Sequence, residues 1–386
     1  MKERRFKDHK QIIYLPIYFL ILVLSLLITE NLKAGLKILE YNLSFLALPI
    51  IFLQFGRVNE KQKTTLYSFF SYGVTIITFF LLVNAVLRYV EVGNSEEFFY
   101  HAFTSPIDFH PVYLSIYVYF AILISIHFMA RNGRVDLLNV IKLLFYALAL
   151  FLLSSKSVLL YTCFTGILFI LYTILKTINK IKLFSFLLIL ITVLTLALQS
   201  DFIKNRFKEV LHIDSLSELK HERMTDFEKV NGLTLRLMFV KFSIQDFLQD
   251  PMNIPFGLGL GDRKEFLNSV YENHNMARTI KEQKLGYYDY NTHNQYVEIF
   301  LGLGIIGLIY FFWMFFYYIW STKEKFISKS TYGLFIWGFL FEAILNRNKG
   351  IVFFVFWTIV FVYNESREYK KEKTYIGKRN QKKLSF

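Results

Sequence analysis

The sequence predicts an all-α polytopic membrane protein, with about ten transmembrane helices and one large, mainly helical loop on the outer face. Three observations predict it. Of 386 residues, 54% are apolar or aromatic and 19% are charged, with a mean hydropathy of +0.37, more than a soluble domain needs to fill one core. The apolar residues gather in runs near the roughly 20 that cross hydrocarbon as a helix, which satisfies its own backbone there. The 44 Lys and Arg concentrate in alternate connections between those runs. Such segregation excludes a disordered chain and an ordinary cytosolic enzyme. The single cysteine, Cys163, excludes a disulfide framework, a zinc site and a redox pair.

Taken in order, the expected spans are Ile12–Ile28, Leu36–Phe55, Leu66–Leu87, Pro111–Met129, Leu137–Leu153, Val158–Leu175, Leu183–Leu198, Tyr296–Trp320, Tyr332–Leu345 and Ile351–Tyr363. Lys2, Arg4, Arg5, Lys7 and Lys10 precede the first run, whose length and missing small-residue cleavage site favour a retained anchor over a signal peptide. With the N-terminus inside, the inner connections and the tail hold 24 of the 44 Lys and Arg, so both termini are expected in the cytoplasm. Residues 1–199 then carry seven helices, 200–294 form the outer loop, 295–363 carry three helices, and 364–386 make a basic cytoplasmic tail. Topology and contact with anionic lipid explain that tail better than nucleic acid does.

The 200–294 loop is far longer than most connections and holds 13 Lys and Arg. Within it Leu233, Leu237, Val240, Ile244, Phe247 and Leu248 recur at a helical period, which predicts an amphipathic helix ended by Asp250-Pro251. At about 100° per residue, Arg236 falls about 20° outside that apolar arc and is expected at the margin of the packed face.

Asn291-Thr292-His293-Asn294-Gln295 leads into the eighth run. Thr292 and Gln295 fit the S/T-x-x-E/Q capping box, which places His293 at the first helical position. There the helix dipole and the low dielectric both disfavour imidazolium, so a neutral ring can accept a proton as a general base. The competing reading is a polar residue at the interface where the helix begins. Gly302, Gly304 and Gly307 follow, a spacing that lets backbones approach closely and would fix where His293 points. In Pro255–Asp262 the glycines at 257, 259 and 261 either present N–H groups to a phosphate or close a tight loop.

Lys156 lies in the short outer turn Leu153–Ser157, where a charge beside hydrocarbon needs an anionic partner. With Arg206 and Arg236 it could clamp a diphosphate, the guanidinium acting through a planar fork of donors. Snorkelling, or pairing with Asp201, Glu209 or Glu222, is the alternative. Glu342 falls inside the ninth run and is expected to pair with Arg347 or Lys349, as a functional carboxylate or as packing glue. His101, Asp108 and His110 cluster before the fourth run, but without HExxH, a dense carboxylate array or a cysteine ligand, no metal site is expected. Walker and Rossmann signatures are absent as well, so no cofactor is expected and the energy must come with the substrate.

HPVYL at His110–Leu114, LSSKS at Leu153–Ser157, NRF at Asn205–Phe207, LRLMFVKF and PFGLGLGD in the loop, and above all THNQYVEIFLGLGIIGLI, carry a resemblance. Over most of its length the chain resembles the O-antigen ligase and polysaccharide polymerase (Wzy-like) family of bacterial inner-membrane proteins. The resemblance implies a periplasmic loop covering a cavity where a polyprenyl-diphosphate-linked glycan donor meets a glycan, lipid or protein acceptor hydroxyl. It implies an inverting, metal-independent transfer with no cofactor and no nucleic-acid partner, in the lipid bilayer of the inner membrane. His293 would be the base or orienter, beside Asn294, and Arg236 and Arg206 would bind the donor diphosphate. Lys156 stands where many members have arginine. The HPVYL and PFGLGLGD motifs add His110, Gly257 and Gly259 as substrate contacts, and Glu342 joins them as the intramembrane carboxylate. The rival reading is a transporter or flippase of a lipid-linked sugar. Carriers place broken helices and polar sites near the midplane, whereas the candidates here gather at the outer rim.

Overall fold

The computed structural model describes residues 11–132, 137–175, 219–225, 230–280, 283–322 and 326–363. Arg206, the seventh expected span and the basic tail lie outside the described residues. Helices α1 (Tyr14–Leu24), α2 (Leu32–Tyr41) and α3 (Ser44–Phe55) come first. Helix α4 (Glu60–Val92) opens on a capping box in which Asn59 and Gln62 bond each other's backbone N–H at 2.9 Å, and stops at Gly93, whose left-handed φ of +73° suits a C-cap. Helices α5 (Tyr100–Thr104), α6 (Pro111–Asn132), α7 (Leu137–Leu153) and α8 (Lys156–Leu175) follow. The loop region contributes α9 (Gly232–Phe247), α10 (Asn253–Phe256), α11 (Arg263–Asn273) and an antiparallel hairpin of β1 (Ala277–Ile280) and β2 (Gln283–Gly286) with Ala277 opposite Gly286. Helices α12 (Gln295–Ser321), α13 (Ile327–Phe339) and α14 (Asn348–Val362) close the order.

Among the described residues, four helical stretches are long and apolar enough to cross a membrane: Leu32–Phe55 taken across its Asn42 break, Glu60–Val92, Pro111–Arg131 and Gln295–Ser321. Tyr14–Leu27, Leu137–Leu153, Lys156–Leu168 and Asn348–Val362 are apolar but shorter. The ninth expected span is not one helix. Helix α13 ends at Phe339, the chain turns through Leu340–Ala343, and a 3-10 turn covers Ile344–Asn346, so Glu342 lies in a break and not on a spanning helix.

Two cores form. In the bundle, Tyr67 stacks on Trp357 at 5.5 Å between ring centroids, Phe120 lies 4.5 Å from Trp357, and Phe315 stacks on Phe354 at 5.7 Å. The loop region packs Phe239, Phe242, Phe247, Leu267 and Tyr271 together with Val297 and Leu301 of α12. Helix α12 thus belongs to both, because Ile299, Leu303 and Phe311 face the bundle core.

The packed face of α9 differs from the expected one. Thr234, Met238, Phe239, Phe242, Ser243 and Phe247 are buried, whereas Leu237 and Leu248 are exposed. Polar Thr234 and Ser243 lie on the packed side, so hydrophobicity alone misplaced it; aromatic packing of Phe239 on Tyr271, at 4.8 Å, decides the orientation. Arg236 accordingly sits beside the packed side chains, half-buried.

The glycines of α12 receive the loop. Gly304 breaks the helix with φ +63° and ψ −167°, a region open essentially to glycine. Just before the break the carbonyl of Leu301 accepts from Leu258 N–H at 2.8 Å, which ties the loop to the helix. A side chain on Gly304 would meet the Pro255 carbonyl, and one on Gly257 would lie 2.6 Å from the Gly302–Gly304 backbone. We expect Gly304→Val to lower stability by about 1–3 kcal/mol from backbone strain alone, read as a lower Tm in detergent. An unchanged Tm would mean that the kink relaxes without cost.

Candidate active site

Glu342 brings the two principal candidates together. His293 Nδ1 lies 3.2 and 3.3 Å from its two carboxylate oxygens, and an Arg236 guanidinium nitrogen lies 3.8 Å from one of them. Burial by itself would raise the Glu342 pKa; the hydrogen bond and charge of His293, then the charges of Arg236 and His110, outweigh it and hold the carboxyl below its ordinary value. An ionised carboxylate only accepts, so Nδ1 carries a proton toward Glu342, and whenever the ring is neutral Nε2 is its acceptor. The expected pairing of Glu342 with Arg347 or Lys349 is replaced by this one, since the break after α13 turns the carboxylate toward the loop. Lys349 instead donates to the Asp108 carbonyl at 3.0 Å and lies 4.1 Å from the centre of the Phe109 ring.

The backbone around His293 is held from both sides. Its φ is +48°, in the left-handed region that non-glycine residues seldom adopt, and its N–H donates to Asn291 Oδ1 at 2.8 Å. The ring stacks on Phe239 at 6.1 Å and 19°. Phe239 is three residues after Arg236 on α9, so one helix face supplies both the cation and the platform. The expected capping box is not formed: the cap is Asn294, whose Oδ1 accepts from the Tyr296 and Val297 amides at 3.0 and 3.1 Å. His293 therefore precedes the helix instead of opening it. With its Nδ2 donating to the Leu340 carbonyl at 3.3 Å, Asn294 also links the helix start to the turn after α13.

Glu298, which the sequence reading overlooked, ties this architecture together. Its carboxylate is buried, 1% exposed, and accepts from the Thr292 amide and hydroxyl at 2.8 Å each and from Asn346 Nδ2 at 2.8 Å, with Arg263 Nε at 3.0 Å. Thr292 adjoins His293, and Asn346 lies four residues beyond Glu342. Gln295 Oε1 adds a bond from the Leu345 amide at 2.6 Å. The available signal was an acid in the first turn of an otherwise uncharged helix, where the dipole favours a negative charge.

The remaining candidates divide. His110 immediately precedes α6, where its Nδ1 accepts from the Val112 amide at 3.3 Å and its ring lies 4.9 Å from that of His101. Its pKa is lowered to about 4, chiefly by burial; Glu342 pulls upward while His101, Arg347 and His293 push down. His110 thus belongs to the electrostatic neighbourhood of His293 and Glu342. Lys156 is the first residue of α8, and the neighbouring Ser157 carbonyl accepts from Trp337 on α13 at 2.9 Å. Gly257 and Gly259 have φ of +81° and +83° and press on the protein's own backbone, Gly257 against α12 and Gly259 against Ser25 and Thr29. The loop-closing reading therefore replaces the phosphate reading for these two. Asp262 completes the docking by accepting from the Glu30 and Asn31 amides at 2.7 Å each.

His110 sets a pH dependence. Because its folded pKa of about 4 lies below the ordinary histidine value of 6.5, the unfolded chain takes up the proton first as pH falls. The stability linked to neutral His110 is complete above about pH 6.5 and lost as pH falls toward 4. The expected outcome for His110→Gln is a smaller drop in Tm across that interval than in the wild type, measured in detergent.

Residues 141–312 match the model of the O-antigen ligase family, a segment that contains Lys156, Arg206, Arg236, Glu298, His293 and Asn294 and stops short of Glu342. No curated protein matches the chain. The motif residues that suggested the resemblance lie largely within this segment, which covers somewhat less than half of the chain and is similar to the O-antigen ligase family.

Proposed function

We propose that the protein is a glycosyltransferase on the periplasmic face of the bacterial inner membrane, with both termini cytoplasmic. It moves a glycan from a polyprenyl-diphosphate donor to an acceptor hydroxyl on a glycan, lipid or protein, without a metal. The observation that carries this reading is the shared Glu342 carboxylate, which engages His293 Nδ1 at 3.2 Å and Arg236 at 3.8 Å. His293 Nε2 takes the hydroxyl proton as the acceptor oxygen attacks the anomeric carbon, and Glu342 stabilises the imidazolium that forms. The glycosidic bond to the diphosphate breaks, and its charge is met by Arg236, with Arg206 and Lys156 assigned the same task from the sequence. A single displacement inverts the anomeric carbon.

The test is transfer in vitro with purified protein, a polyprenyl-diphosphate glycan and an acceptor, in chelator and without nucleotide. His293→Ala is expected to reduce transfer by about 10²–10⁴-fold while the protein still accumulates in the membrane; near wild-type transfer removes His293 as the base. Arg236→Lys loses the bidentate fork and is expected to raise the donor KM, and unchanged donor saturation removes Arg236 from the diphosphate site. A carrier would move the lipid-linked sugar without releasing polyprenyl diphosphate. Product length separates chain extension from a single attachment.

A further inference from the structure

A second polar pocket opens at the far end of the bundle. Helix α6 has 22 residues and so spans about 33 Å, with His110 before its start and Arg131 near its finish. Around Arg131 lies a cavity of about 390 Å³ between α4, α6 and α7, lined by Thr64, Ser68, Tyr72, Arg131, Asn139 and Lys142 among others. Arg131 donates to the Thr64 hydroxyl at 2.9 Å, and the Lys142 ammonium lies 4.1 Å from the centre of the Tyr72 ring. Ser71 and Tyr146 close the floor with a 2.9 Å hydroxyl contact. None of the residues lining the cavity is a carboxylate. Among the described residues, neither Arg131 nor Lys142 pairs with one, whereas nearby Lys63 is matched by Glu60 at 2.7 Å.

Two cations and a set of hydroxyls in one cavity suit a phosphodiester. The surroundings say which kind. On the open sides of the same helices Phe69, Ile76, Leu137 and Ile141 are 72%, 68%, 73% and 53% exposed, so an apolar surface continues from a polar hollow at the end of the helices. The geometry points to a binding site for an anionic diacyl phospholipid, with its headgroup phosphate between Arg131 and Lys142 and its acyl chains along α4 and α7. The site lies on the membrane face opposite His293 and is independent of the transfer reaction.

The protein is reconstituted at full length in nanodiscs of equal phosphatidylglycerol and phosphatidylethanolamine, and retained lipids are counted by native mass spectrometry. Wild type is expected to retain phosphatidylglycerol preferentially, and the double variant Arg131→Gln, Lys142→Gln to lose that preference at about fivefold per cation. Lys33→Gln with Lys37→Gln removes the same charge from exposed positions on α2 and is expected to keep it, as is the charge-preserving Lys142→Arg. Equal retention in the double variant and the wild type overturns the proposal. Release of the lipid by millimolar inorganic phosphate does so too, by making the ligand a free anion. If the double variant does not accumulate, Lys142→Gln alone decides: a reduced preference supports the site and an unchanged one overturns it.

Discussion

The buried Glu298 carboxylate is the interaction on which the site depends. It accepts from Thr292, just before His293, and from Asn346, just after Glu342, while Arg263 of α11 supplies its countercharge at 3.0 Å. Three chain segments far apart in sequence meet on one side chain. A buried ion pair of this kind is costly to break because the surviving charge is left uncompensated, by about 3–5 kcal/mol in typical cases. Its worth here is therefore geometric: the backbone on either side of the reactive groups has one place to be.

Glu298 and Glu342 are both buried and have different work. Glu298 is saturated by donors from the protein, so it has no capacity left for a ligand. Glu342 is engaged by an imidazole and, at longer range, by a guanidinium, the two groups that could each contact a substrate on their other side. The pattern follows a general rule, that neighbouring acids acquire separate roles from their surroundings and not from their own chemistry.

Much of the helical framework was legible because run length and composition report it directly; α7 has the bounds expected of it, Leu137–Leu153. His293 and Arg236 were legible through motif and position. What escaped were features decided by tertiary contacts. Leu340–Ala343 reads as apolar helix apart from Glu342, and the break there follows from partners on other elements. Thr292 and Asn294 are both good capping residues two positions apart, and Thr292 loses that competition because its hydroxyl donates to Glu298. On α9 the aromatic side outcompetes the leucine side, which periodicity of apolar residues cannot distinguish. The carboxylate of Glu298 gave only the weak signal of an acid in a first turn.

The amide of Leu258 bonds α12 at the Leu301 carbonyl, three residues before the Gly304 break. If the Pro255–Asp262 segment lifted away, that hydrogen bond would be lost, at a net cost of about 0.5–1.5 kcal/mol. The loop segment and this helix are consequently tied together on that side. A displacement of the loop that spares this bond therefore has to carry α12 with it.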